Sequence, residues 1–218
     1  MKSETGIQTV IWDWNGTLLD DVDICVSSIN VMLGQRNLET LDRERYREWF
    51  GFPVIDYYRR IGIDFSTEDF SAAADEYMAL YFQRLRDAGL VAGVTRLLRE
   101  IAAKGMNQLI ISAMRQEDVD ASVFRFGIKS YFSGIYGARD HYAHGKIEHA
   151  RQVFLEQGLD TDSVLLIGDT SHDAELAFAL QCRCVLFSGG HFARPRLEST
   201  SFPVMDSIDE LTRFLGWD

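Results

Sequence analysis

Positive charge is in short supply. Twenty-two lysines and arginines face 33 aspartates and glutamates in a chain of 218 residues, giving a formal net charge of -11. A surface of that sign repels phosphate backbones and anionic lipid at long range, which argues against nucleic acid and membranes as partners. An anionic small molecule stays admissible, because a site metal and a few local cations can reverse the sign locally. Long apolar runs are missing too. No stretch reaches the roughly 18 residues needed to span a bilayer, and residues 1–8 lack the apolar segment of a signal peptide, so a cytoplasmic location is expected. Cysteine is scarce: three residues, an odd number, with no C-x-x-C and no Cys/His grouping of zinc spacing. Cys25, Cys182 and Cys184 are therefore expected to be structural thiols. Internal repeats and low-complexity segments are absent as well.

What is present suits a full core. The chain is 46% hydrophobic and 25% charged, long enough for one large domain or one domain carrying an insertion. Residues 8–12 form an apolar run of the kind that makes a buried strand. From about residue 21 to 89 the periodicity is helical throughout, with Val22, Val26, Ile29 and Leu33 on one face and Tyr77, Leu80, Tyr81 and Leu85 on another. Residues 43–61 read as one or two shorter helices broken near Gly51 and Pro53. Beyond Gly89 helix and strand alternate: helices at 94–104, 116–126, 146–157, 173–180 and 207–215, strands at 108–113, 134–137, 163–167 and 183–187. Alternation of this kind predicts an α/β fold, a parallel sheet with helices on both faces in three layers. The helical block interrupts it after the first strand. Residues 1–20 and 90–218 are thus expected to form the α/β core and residues 21–89 an inserted all-helical domain, placed to act as a lid.

A parallel sheet aligns the carboxyl ends of its strands, where ligands bind. The first strand runs into Asp13-Trp14-Asn15-Gly16-Thr17, which places a carboxylate at that edge, able to attack a substrate or hold a metal. The second ends at Ser112, either a hydrogen-bond donor to an anion or a simple turn serine. Lys146 opens a helix. Lysine is unfavourable at that end of the helix dipole, so it is either solvated or facing a negative group. The fourth strand ends in Gly168-Asp169-Thr170-Ser171-His172-Asp173, two carboxylates four apart around a strand-to-helix turn, a hard oxygen set that suits magnesium better than zinc.

The order and spacing of these four pieces resemble the haloacid dehalogenase superfamily over essentially the whole chain. The family pattern is D-x-D-G-T, then Ser or Thr, then Lys, then G-D-x-x-x-D. The helical insertion resembles the family's helical cap, most similar to phosphoglycolate-phosphatase-like members, and the core is then the family's Rossmann-like sheet. The resemblance implies a magnesium-dependent phosphatase acting on a small phosphorylated metabolite through an aspartyl-phosphate. Asp13 is the implied nucleophile. Asp13, Asn15 through its backbone carbonyl, Asp169 and Asp173 are the implied metal set, and Ser112, Lys146 and Thr17 the phosphate-binding set.

One departure from the pattern is chemical. Asn15 stands where most family phosphatases carry a second aspartate that protonates the leaving oxygen, and loss of such a group costs about 100-fold to 10,000-fold in rate. Four accounts are open: the leaving group needs little protonation, a histidine such as His172, His141 or His144 substitutes, the Asn15-Gly16 pair deamidates to restore an aspartate, or the residue is an engineered substitution. A binding or regulatory protein that kept the fold is the non-enzyme alternative, and phosphomutase or dehalogenase chemistry the enzymatic one. Phosphonate hydrolysis, which in the family takes a cap lysine, is disfavoured, since residues 21–89 contain none. Arg43, Arg45, Arg47, Arg59 and Arg60 are candidates for a second anionic group of the substrate, or a solvated helix face.

Overall fold

The computed structural model describes residues 6–138 and 146–216. Strand β1 (Thr9–Trp12) lies at the centre of the main sheet. A two-residue strand β2 (Leu19–Asp20) then leads into four helices, α1 (Val22–Gln35), α2 (Arg43–Trp49), α3 (Val54–Arg60) and α4 (Phe70–Leu85). The chain returns through β3 (Gly89–Leu90), which pairs antiparallel with β2. Thereafter come α5 (Val94–Ala103), β4 (Asn107–Arg115), α6 (Gln116–Arg125), β5 (Gly134–Ala138) and α7 (Lys146–Gln157). The last stretch is β6 (Val164–Gly168), α8 (Ser171–Leu180), β7 (Arg183–Phe187), α9 (Arg194–Glu198), β8 (Val204–Met205) and α10 (Ile208–Phe214).

Six parallel strands run in the order β5-β4-β1-β6-β7-β8. Alternation along them divides the apolar residues between two layers. Val10, Trp12, Ile110, Leu165 and Ile167 face one cluster with Leu97, Leu98 and Ile101 of α5 and Val119 and Val123 of α6. Ile11, Leu109, Ile111, Leu166 and Leu186 face the other, with Val153 and Phe154 of α7 and Leu176, Ala177 and Leu180 of α8. The expected three-layer α/β core is therefore present. Chain order reverses at β1, whose neighbours β4 and β6 lie on opposite sides, and their crossovers leave a crevice at its carboxyl end.

Helices α1 to α4 bury a separate cluster, including Ile29, Met32, Leu33, Tyr46, Tyr57, Tyr58 and Tyr81. Local signals set their ends: Asp42 accepts from the Arg45 amide and Asp69 from the Ala72 amide, each satisfying an N-terminal donor. The three cysteines are free and buried. Two short elements, α9 and β8, carry too little periodicity to be read from sequence. The fourth-motif helix starts at Ser171 rather than Asp173, because Thr170 and Asp173 form a capping box. Strand β4 also outruns its expected end, continuing to Arg115 through a register shift after Ile111. No described helix is long and apolar enough to cross a membrane.

Candidate active site

Asp13 follows β1 directly and its backbone amide is bonded to Ile167 of β6. Gly16 then turns the chain with a φ of +73°, a left-handed conformation that glycine adopts without strain. A Cβ there would also collide with the Asp169 carboxylate and the His191 ring. Glycine at this position serves both the turn and the close approach.

The predicted strand-end residues converge. Lys146 Nζ donates to Asp13 Oδ1 at 2.7 Å and to Asp173 Oδ1 at 2.9 Å, so its place at the start of α7 faces negative charge, not solvent. Asp173 Oδ2 accepts from the amides of Asp169 and Thr170 and from the Thr170 hydroxyl. Asp169 Oδ1 accepts from Thr17 Oγ1 at 3.0 Å and Oδ2 from the His191 amide at 2.6 Å. The Thr17 hydroxyl, expected to meet phosphate, thus points at a carboxylate. Ser112 is buried within β4, at the register shift, and its Oγ accepts from the Met114 amide.

Carboxylate oxygens of Asp13, Asp169 and Asp173 can all lie within 4.8 Å of one another. Burial pushes the Asp13 carboxyl up to about 6 even though Lys146 opposes it. Burial likewise raises Asp169 to about 8; His191 opposes this and the other two carboxylates add to it. Asp173 is held below its usual range, since Lys146 and the Thr170 bonds outweigh its burial. Three buried acids and one ammonium leave room for a cation. The oxygen donor set therefore fits a divalent metal, which would screen the carboxylates from one another and from an incoming anion.

Behind Asp13 lies a second cluster that the motifs did not announce. Asp21, 1% exposed, receives Asn15 Nδ2, the Gly16 amide and Tyr81 Oη, at 2.8, 2.9 and 2.8 Å. His191 Nε2 lies 3.3 Å from Asp21 Oδ1, and its Nδ1 meets Tyr46 Oη at 2.9 Å. Burial alone would depress His191, but Asp21 and the neighbouring carboxylates raise it to about 9. The signal for His191 was a fifth strand end, Phe187-Ser188-Gly189-Gly190-His191. Gly190 lets that loop lie against Asp169, where a Cβ would collide with its carboxylate.

Among the other histidines, His172 stacks on Phe52 with ring centroids 3.7 Å apart, and burial lowers its pKa. His141 and His144 lie outside the described residues. The arginine set is largely engaged elsewhere: Arg43 pairs with Asp23, Arg45 with Glu39 and Arg59 with Asp56, while Arg60 lies over the Trp49 ring. Arg47 instead clamps α2 to the core, donating to the carbonyls of Ser188, Gly190 and Phe192.

The haloacid dehalogenase-like hydrolase model matches residues 10–187, and the chain belongs to that family of enzymes. Similar curated proteins include phosphoglycolate phosphatase 1 of Pseudomonas aeruginosa, 25% identical over 213 residues that cover 93% of this chain and 77% of that one. Tyrosine-protein kinase PtkA of Mycobacterium tuberculosis is 27% identical over 215 residues, 96% of this chain and 72% of the relative. Among solved structures, a haloacid dehalogenase-like protein from Agrobacterium tumefaciens superposes with a TM-score of 0.82 at 22% identity, covering 97% of this chain and 98% of its own. With phosphatases among the named relatives, the enzyme class expected from the four motifs, a phosphoric monoester hydrolase of this family, stands.

Proposed function

We propose that the protein is a magnesium-dependent phosphatase that hydrolyses a small phosphorylated metabolite through an aspartyl-phosphate on Asp13. The observation that carries this is Lys146, whose ammonium bridges Asp13 and Asp173 at the mouth of the sheet beside the buried Asp169. Asp13, Asp169 and the Asn15 backbone carbonyl would hold the metal, which supplies positive charge for the phosphoryl oxygens. Asp173, whose oxygens already meet four donors, acts chiefly to orient Lys146 and the Asp169 backbone, with direct ligation secondary. Lys146 and Ser112 hold the phosphoryl group, and Thr17 serves it indirectly by fixing Asp169. Residues 21–89 act as the cap over a core of residues 1–20 and 90–218, entering and leaving through the β2 and β3 pair. The phosphoglycolate phosphatases among the relatives support a small phosphorylated substrate.

In the first half of the reaction an Asp13 carboxylate oxygen attacks phosphorus and the bond to the leaving oxygen breaks; in the second, water releases phosphate from Asp13. Phosphate release from p-nitrophenyl phosphate with magnesium is the test. Asp13→Ala is expected to lower kcat/KM by about 1,000-fold or more. Release that survives this change would rule out the aspartyl-phosphate route.

A further inference from the structure

We infer that this site acts on phosphate compounds whose leaving oxygen is weakly basic, a phenolate, a carboxylate or a phosphate, because residue 15 offers a bound molecule an acceptor and no proton. The inference rests on the phosphatase reading and narrows its substrate class.

The Asn15 amide nitrogen lies 2.8 Å from both Asp21 Oδ2 and Tyr81 Oη, and an amide N–H is in any case far too weak an acid to protonate a leaving oxygen. Tyr81 Oη spends its own hydrogen on the same Asp21 oxygen. The orientation is therefore determined: turning the amide over would set its carbonyl oxygen against a carboxylate. Asn15 is only half-buried, and what it has left to offer is Oδ1.

Nearby groups do not fill the gap. The Gly16 amide is bonded to Asp21 and the Thr17 hydroxyl to Asp169. Both ring nitrogens of His191 are occupied, by Asp21 and by Tyr46. Lys146 gives two of its three hydrogens to Asp13 and Asp173, leaving one suited to hold a phosphoryl oxygen. Ser112 is given to the phosphoryl group, and His172, stacked on Phe52, is a rival donor.

The chemistry closes without an acid if the leaving group is stable as an anion. Asp13 forms the new bond to phosphorus, and the bond to the substrate oxygen breaks with its electron pair on that oxygen. A phenolate departs as such and takes its proton from solvent, whereas an aliphatic alkoxide does so poorly. In the second half, water adds to phosphorus and the Asp13 carboxylate leaves, itself a weakly basic group. One water proton passes to a phosphoryl oxygen and the other stays on the new P–OH, so the product forms as dihydrogen phosphate and loses a proton to solvent, with Asn15 Oδ1 left as an acceptor for the incoming water.

The experiment is a series of substituted phenyl phosphates, matched in size and graded in leaving-group acidity, with phosphoglycolate as the aliphatic member. With the magnesium-loaded wild-type protein, kcat/KM should fall steadily as the leaving oxygen becomes more basic, and phosphoglycolate should lie at least about 100-fold below the most activated ester. Asn15→Asp should raise the aliphatic ester more than the activated ones, flattening the series. A wild-type series that is already flat would overturn the inference while leaving the phosphatase reading intact. A flat series that steepens in His172→Gln would overturn it too, and assign the proton to His172. Turnover of none of these compounds would overturn both.

Discussion

Gly16 carries more than its size suggests. Alanine at this position meets a left-handed backbone, costing about 1–2 kcal/mol, and in addition presses a methyl group into Asp169 and the His191 ring. Gly16→Ala is expected to lower the unfolding free energy by about 2–4 kcal/mol, measured by urea titration, and to remove most phosphate release. A variant with wild-type stability would show that this loop yields easily. The strand-end residues Asp13, Lys146, Asp169 and Asp173 were legible in the sequence because helix and strand alternation places them along one sheet edge. Asp21 and His191 were not. Asp21 reads as the first residue of the helical block, His191 as part of a polar loop, and only the packing of that block against the loop joins them.

Among the elements, α2 ties the helical block to the loop after β7. Arg47 donates to three loop carbonyls, and Arg196 of α9 returns bonds to the carbonyls of Arg47 and Phe50. Arg47→Ala leaves those carbonyls without a charged partner, an expected loss of about 1–3 kcal/mol. Hydrogen exchange should rise in residues 188–193 and in α2 while β1, β4 and β6 stay protected; uniform exchange throughout would contradict a local tie. Helix patterning showed that α2 exists, and the exposed-looking run of arginines and glutamates concealed its role. Periodicity reports which face is apolar, not which charged residue is pointed at a neighbouring carbonyl.

For the molecule as a whole, the buried charges predict a definite pH response without metal. Asp13, at about 6, and Asp169, at about 8, keep protons that the unfolded chain releases near 4, so folding stability falls as pH rises through that window. His191 adds to the slope: its raised pKa contributes stability fully present below about 6.5 and lost as pH climbs through about 9. Asp21 and Asp173, held below the usual carboxylate range, act in the opposite sense, and their stabilisation is lost only in acid. In a chelator the melting temperature should therefore peak near pH 5 and decline toward pH 9. Magnesium held by Asp13 and Asp169 would displace their protons, so the rise in melting temperature it gives is expected to grow with pH. A rise that is the same at pH 5.5 and pH 8.5 would place the metal away from these two acids.

Asp21 sits one residue past β2, where the chain enters the helical block, and it holds Asn15 of the first loop, Tyr81 of α4 and His191 of the loop after β7 at once. It therefore works as a keystone. Three separate stretches of chain thereby share one carboxylate, so its removal would loosen the Asn15 loop, helix α4 and the loop after β7 together.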